Sequence, residues 1–152
     1  MKLEFFVLGN PATAGSKKAF HNKKTGRTWV VDTCKRKKSW QDTCATYARK
    51  FYQGPPTKKA VKLLVVFIMP RPKYHYDSKG EIKTKYVAIQ HLVKPDVTKL
   101  FRCLEDSFKD ILWHDDSQVI ESTVMKYYTQ PAFLEPEYAG SGAKVKVEWI
   151  DG

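Results

Sequence analysis

The sequence predicts a single α+β domain over residues 1–152, a mixed β-sheet with two main helices packed on it. Two segments, residues 33–52 and 96–112, place apolar side chains at helical spacing. Between them, residues 60–69 form a dense run of Val, Leu, Ile and Phe of strand length, as a buried central strand requires. Further strand-like stretches lie near both ends, and no internal repeat or low-complexity tract interrupts the pattern. A chain of 152 residues is close to the commonest domain size and long enough to bury a real core.

Taken in order, residues 2–8 alternate loosely and are β-prone, which predicts a first strand. Residues 9–16 are a Gly/Pro/Ala/Ser loop leading into Lys17-Lys18. Residues 19–32 fit a hairpin turning at Lys23-Lys24-Thr25-Gly26. In the helix over 33–52, Trp40, Cys44, Tyr47, Ala48 and Phe51 share one face, and Gly54-Pro55-Pro56 stops it. The basic, aromatic, turn-rich stretch 70–86 is expected to be a long loop, and 87–92 a short extended piece. The second helix is the clearest, because Val97, Leu100, Phe101, Leu104, Phe108, Ile111 and Leu112 project within about 120° of one another at 100° per residue. Asp96 is placed to cap it, with Pro95 favouring an extended approach. Residues 117–128 and 143–150 are expected to be strands, joined by a Pro/Gly/Ser-bearing loop.

Charge is divided along the chain. Residues 1–102 carry 23 Lys+Arg against 6 Asp+Glu, or +17; residues 103–152 carry 4 against 10, or −6, and the two sum to +11. Such a balance points to a polyanionic partner, nucleic acid before membrane, since no apolar run approaches the roughly 20 residues of a spanning helix. Phe5-Phe6-Val7-Leu8 is too short for a signal-peptide core, so a cytoplasmic location is expected. Cys34, Cys44 and Cys103 are widely spaced and predict reduced, structural thiols. The four histidines are equally scattered, which argues against zinc; a metal here would take oxygen ligands, favouring Mg²⁺ or Mn²⁺.

The chemistry-bearing constellation runs from Val93 to Lys126. Opposite the apolar stripe of the second helix lie Lys99, Arg102, Asp106 and Asp110, flanked by Thr98, and Asp115-Asp116 follows in the turn back to a strand. A strand returning alongside the helix brings Asp116 near Asp96 if the helix packs across the sheet. Carboxylates fix a divalent ion, the ion activates water, and a nearby cation offsets charge on the phosphorane. Asp at an N-cap and Asp-Asp in a turn are also ordinary structural features, so these residues alone leave both readings open.

Longer motifs add to this. Lys94-Pro95-Asp96-Val97-Thr98-Lys99-Leu100, then Arg102, Glu105-Asp106-Ser107-Phe108, Asp115-Asp116-Ser117-Gln118-Val119 and Lys126 together resemble the RusA family of Holliday junction resolvases. That family's signature reads roughly K-P-D-x-D-N-L-x-K-x-x-x-D-A-L, then D-D-x-Q-V and a downstream Lys. Gly9-x-Pro11, Lys17-Lys18 and Gly142-Ala143 extend a weaker similarity over most of the chain. The resemblance implies a homodimeric, Mg²⁺-dependent endonuclease cutting four-way DNA junctions by paired nicks, of a kind often encoded by phages and prophages. It implies Asp96, Asp116 and Asp115 as metal ligands and Arg102 at the place of the family's catalytic Lys. Thr98 stands where the second motif aspartate is expected and Lys99 where an Asn is, which removes one anionic ligand unless Asp115, Asp106 or Glu121 compensates. A non-catalytic or weakly active branched-DNA binder is therefore the alternative. On either reading, Lys17, Lys18, Lys94, Lys99 and Lys126 are candidate phosphate contacts, and Arg71 and Lys73, with Tyr74 and Tyr76, a candidate DNA-contacting loop. Trp40 is expected in the core.

Overall fold

The computed structural model describes residues 1–13, 17–32 and 36–151; the side chains of 17, 18 and 30–32 also lie outside the description. The strands are β1 (Lys2–Leu8), β2 (Lys17–Asn22), β3 (Arg27–Asp32), β4 (Ala60–Met69), β5 (Val119–Tyr128) and β6 (Gly142–Ile150). The helices are α1 (Lys37–Phe51), the single turn α2 (Thr84–Val87) and α3 (Val97–Phe108). Strands β1, β6, β4 and β5 form one sheet in that order, antiparallel except for the parallel β4–β5 pair. The sheet is mixed, with two main helices, and the α+β expectation holds.

One row of side chains shows how it is built. Phe5, Val145, Val65 and Val124 are register partners across the four strands. Successive residues of a strand point to opposite faces, so alternate positions of β4 from Val61 to Met69 reach the helical layer. There they meet Trp40, Cys44 and Ala48 of α1 and Leu100, Cys103, Leu104 and Phe108 of α3. Each fully buried Leu or Phe contributes roughly 1.5–3 kcal/mol. Trp40 is core, as expected. The opposite face carries Lys2, Glu4, Lys62, Lys146 and Glu148, laced by ion pairs such as Lys62–Glu121 at 3.0 Å. The hairpin β2–β3 is a separate two-stranded sheet, with Phe20 and Trp29 exposed and stacked at 5.8 Å.

Two stretches differ from expectation. Helix α3 stops at Phe108 rather than residue 112, because Asp110 adopts a left-handed φ of 63° and its N–H turns to the Trp113 carbonyl at 2.7 Å. Leu112 stays buried after the helix has ended, which is why the apolar stripe overran. Residues 70–86 are not one long loop, nor is 87–92 extended; the 3₁₀ turn Lys73–His75 and α2 occupy this stretch. Helix α1 begins at Lys37, and the expected start at 33, like Cys34, lies outside the described residues. Cys44 and Cys103 are free and buried.

Gly142 shows how tightly β1 and β6 approach. A Cβ there would lie 2.1 Å from the Val7 carbonyl oxygen and 2.6 Å from the Phe6 ring, at a φ of 156°. Because the obstacle is backbone, Gly142→Ala is expected to destabilise the fold by about 2–4 kcal/mol, measured as a lowered urea midpoint. A variant as stable as wild type refutes the close approach.

Candidate active site

Thr98, Arg102 and Glu105 fall at i, i+4 and i+7 on α3 and therefore share one stripe of the helix. Thr98 and Arg102 are exposed, Glu105 is half-buried, and Asp106 is exposed beside it. The turn after α3 brings the second acidic group back to this stripe. Trp113, fully buried against Phe108, donates its indole N–H to Asp116 Oδ1 at 2.9 Å. Asp115 accepts from the Ser117 N–H at 2.9 Å and completes a capping box with Gln118. Gln118 is the clamp of the turn. Its Oε1 accepts from the N–H groups of His114 and Asp115, and its Nε2 donates to the carbonyls of Thr57 and Lys59, all at 2.8–2.9 Å. The D-D-x-Q spacing is thus a device for holding Asp116 still.

Glu105 registers the result. Burial first, then the charges of Asp116 and Asp106, raise its carboxyl to about 7, with Arg102 opposing them. Arg102, Asp106 and Asp116 therefore each lie within electrostatic reach of Glu105. A raised carboxyl stabilises the fold only while protonated, so its contribution is complete below the unfolded value of 4.5 and lost as pH rises through about 7. Glu105→Gln in chelated buffer is expected to leave stability unchanged at pH 4 and raise it at pH 8 by about 1–2 kcal/mol, a figure reduced for solvent screening of a half-exposed group. Equal gains at both pH values exclude the ionisation.

The other expected site residues are distributed differently. Asp96 stands at the N-cap position of α3, but its side chain makes no capping hydrogen bond and instead pairs with Lys99 at 3.7 Å. It precedes Glu105 by nine positions, about 13 Å of helical rise, so Asp96 and Asp116 lie toward opposite ends of α3. Asp115 is engaged in its turn, where the Ser117 hydrogen bonds depress its pKa, and it faces Lys109 at 3.9 Å. Among the described residues no three His, Cys, Asp or Glu side chains are grouped to hold a metal ion, so the set Asp96, Asp115 and Asp116 is not assembled within this chain.

Lys94, Lys99 and Lys73 are exposed, as phosphate contacts need to be. Lys126 is not. Its ammonium donates to the Val93 and Pro95 carbonyls at 2.8 and 2.9 Å, bracing the segment ahead of Asp96. Arg71 also turns inward: it is 7% exposed and donates to the carbonyls of Thr129, Tyr86 and Val87 and to His75 Nδ1. It organises the segment that was expected to be a DNA-contacting loop, with four of its five N–H groups committed to this chain. The Lys17 and Lys18 side chains lie outside the described residues. Glu105 is the residue that sequence reasoning passed over, although its i+7 spacing from Thr98 was the available signal.

The remaining carboxylates still suit a hard divalent cation. Glu105 and Asp116 repel one another at a half-buried position, and Mg²⁺ is commonly held by one or two protein carboxylates with substrate phosphates completing its shell. No helix among the described residues is long and apolar enough to cross a membrane. A family model described as "Endodeoxyribonuclease RusA" matches residues 9–135. An uncharacterized protein of Bacillus subtilis (strain 168), YqaN, is 25% identical over 134 residues, covering 88% of this chain and 92% of its own.

Proposed function

The chain belongs to the RusA endodeoxyribonuclease family, and on that footing we propose that it is a structure-selective endonuclease resolving four-way junctions and related branched DNA. The observation that carries the reading is the gathering of Arg102, Asp106 and Asp116 around Glu105, with Asp116 on the turn that Gln118 clamps, on an otherwise basic body. Asp116 and Glu105 would hold Mg²⁺, with Mn²⁺ as a substitute. When bound, such an ion makes water a better nucleophile and offsets charge on the phosphate. Arg102 presents a planar cation on the same helical stripe, suited to the charge that accumulates on phosphate oxygens in the transition state. Thr98, one turn earlier, offers a hydroxyl to hold a water. Lys94 and Lys99 attract flanking phosphates at the start of α3, near the uncapped carboxylate of Asp96. Asp115 fixes the turn.

The exposed Phe20–Trp29 stack, on a hairpin bearing Lys23, Lys24 and Arg27, adds a base-stacking surface on the same body. Paired nicks need two sites, which a homodimer would supply. Strand β5 is an edge of the sheet and exposes Ile120 and Tyr127 beside that edge. The cytoplasm, where chromosomal or phage DNA is processed, is the expected place of action.

Thr98 favours a second reading, a branched-DNA binder with little or no cutting. A four-way junction assay with Mg²⁺ or Mn²⁺ separates them. Symmetric nicks are expected, and Glu105→Gln is expected to slow them about tenfold or more by removing one of the two carboxylates offered to the ion. Tight, salt-dependent junction binding without product under any divalent ion leaves only the binder.

A further inference from the structure

A second site lies at the other end of α3. Beyond the C-terminal ends of the parallel strands β4 and β5 is a cleft of about 450 Å³, lined by Arg36, Tyr74, His91, Lys94 and Tyr128 among others. That volume is in the range of small-ligand sites. The N-termini of α1 and α3 both come to it, through Arg36 and Pro95. Neither helix has a side-chain hydrogen bond at its N-cap, and at the N-cap of α3 the Asp96 carboxylate is paired with Lys99 at 3.7 Å. Arg36 and Lys94 add two cations, and anion binding is the natural use of such a convergence.

His91 makes the cleft more than a positive hollow. It is 6% exposed, its Nδ1 is buried, and that nitrogen has no hydrogen-bond partner apart from its own main chain. A buried polar atom with no partner in any other residue costs stability, which leaves this wall of the cleft incompletely satisfied. Burial, and then the Lys126 charge, hold the imidazole below its usual pKa, so at neutral pH it is uncharged. Tyr74 stands at the same cleft, 60% exposed but fixed by edge contacts to His75 at 4.7 Å and Tyr86 at 5.5 Å. Beneath it, His75 stacks on Tyr86 at 4.3 Å and Arg71 lies over Tyr128, which gives a rigid floor. An exposed aromatic ring already held in place loses little freedom when a base stacks on it.

We infer that this cleft receives one unstacked nucleotide of the DNA substrate, with its base on Tyr74, a polar edge of the base at His91, and its phosphate toward Arg36 and Lys94. The inference rests on the reading of the chain as a branched-DNA protein. Bases at a branch point unstack more readily than bases within a duplex.

Two measurements test it. In the first, deoxynucleoside monophosphates at millimolar concentration are titrated into the full chain while the side-chain resonances of Tyr74 and His91 are followed. Shifts in both are expected with the nucleotides but not with inorganic phosphate; the same shifts with phosphate alone, or none with any nucleotide, overturn the site. In the second, a junction carries 2-aminopurine at successive positions around the branch. Binding is expected to raise fluorescence at one position, Tyr74→Ala to abolish that rise and weaken junction binding about tenfold, and Tyr74→Phe to restore both. Junction binding with no fluorescence change at any position, or a rise that survives Tyr74→Ala, overturns the inference while leaving the nuclease reading intact. Failure to bind a junction at all defeats that reading instead, and the nucleotide titration then decides the cleft.

Discussion

Asp116→Asn is expected to reduce junction cutting by about 10²–10³-fold while changing junction affinity little, since affinity comes mainly from the basic surface. The substitution preserves the acceptor oxygen for the Trp113 indole N–H, so the turn stays in place and only charge is lost. It also removes the largest charge effect on Glu105, whose carboxyl should then titrate below its present value of about 7. Single-turnover cutting, together with a carboxyl-carbon titration of Glu105, reads both effects. Undiminished cutting removes Asp116 from the chemistry; an unmoved Glu105 shows that the two carboxylates are not neighbours in solution.

Arg71→Met should cost the largest share of stability, about 3–5 kcal/mol. The variant retains volume but leaves the carbonyls of Thr129, Tyr86 and Val87 without the donors they now have. Two of those carbonyls belong to the end of α2, where a cation is favoured. Denaturant unfolding measures the loss, and protease sensitivity should concentrate in residues 70–92. If the variant is as stable as wild type but binds DNA poorly, Arg71 faces the substrate after all.

What could be read from the sequence was governed by local periodicity. Strand β4 and the start of α3 were visible because a run of apolar side chains in one, and a 3.6-residue stripe in the other, record their burial directly. The end of α3 was not visible, because Ile111 and Leu112 remain packed in the core through a turn that Asp110 makes by leaving helical geometry. Arg71 and Lys126 looked like solvent-facing cations because their partners are main-chain carbonyls, some as far as 58 and 33 positions away, and no side-chain pattern marks them. The acidic motif residues were legible individually, but their grouping was not. Helix length keeps Asp96 from Asp116, and the return turn selects Glu105 as the neighbour instead. The charge split along the chain was plain, whereas which positive charges turn inward depends on tertiary contacts.

On the proposed reading the two ends of α3 have different tasks, and the helix fixes the interval between them. About 13 Å of axial rise between Asp96 and Glu105 corresponds to roughly four nucleotide steps of a B-form strand at 3.4 Å each. A strand seated at both ends would be severed at a constant offset from the nucleotide it is gripped by, with α3 serving as the yardstick.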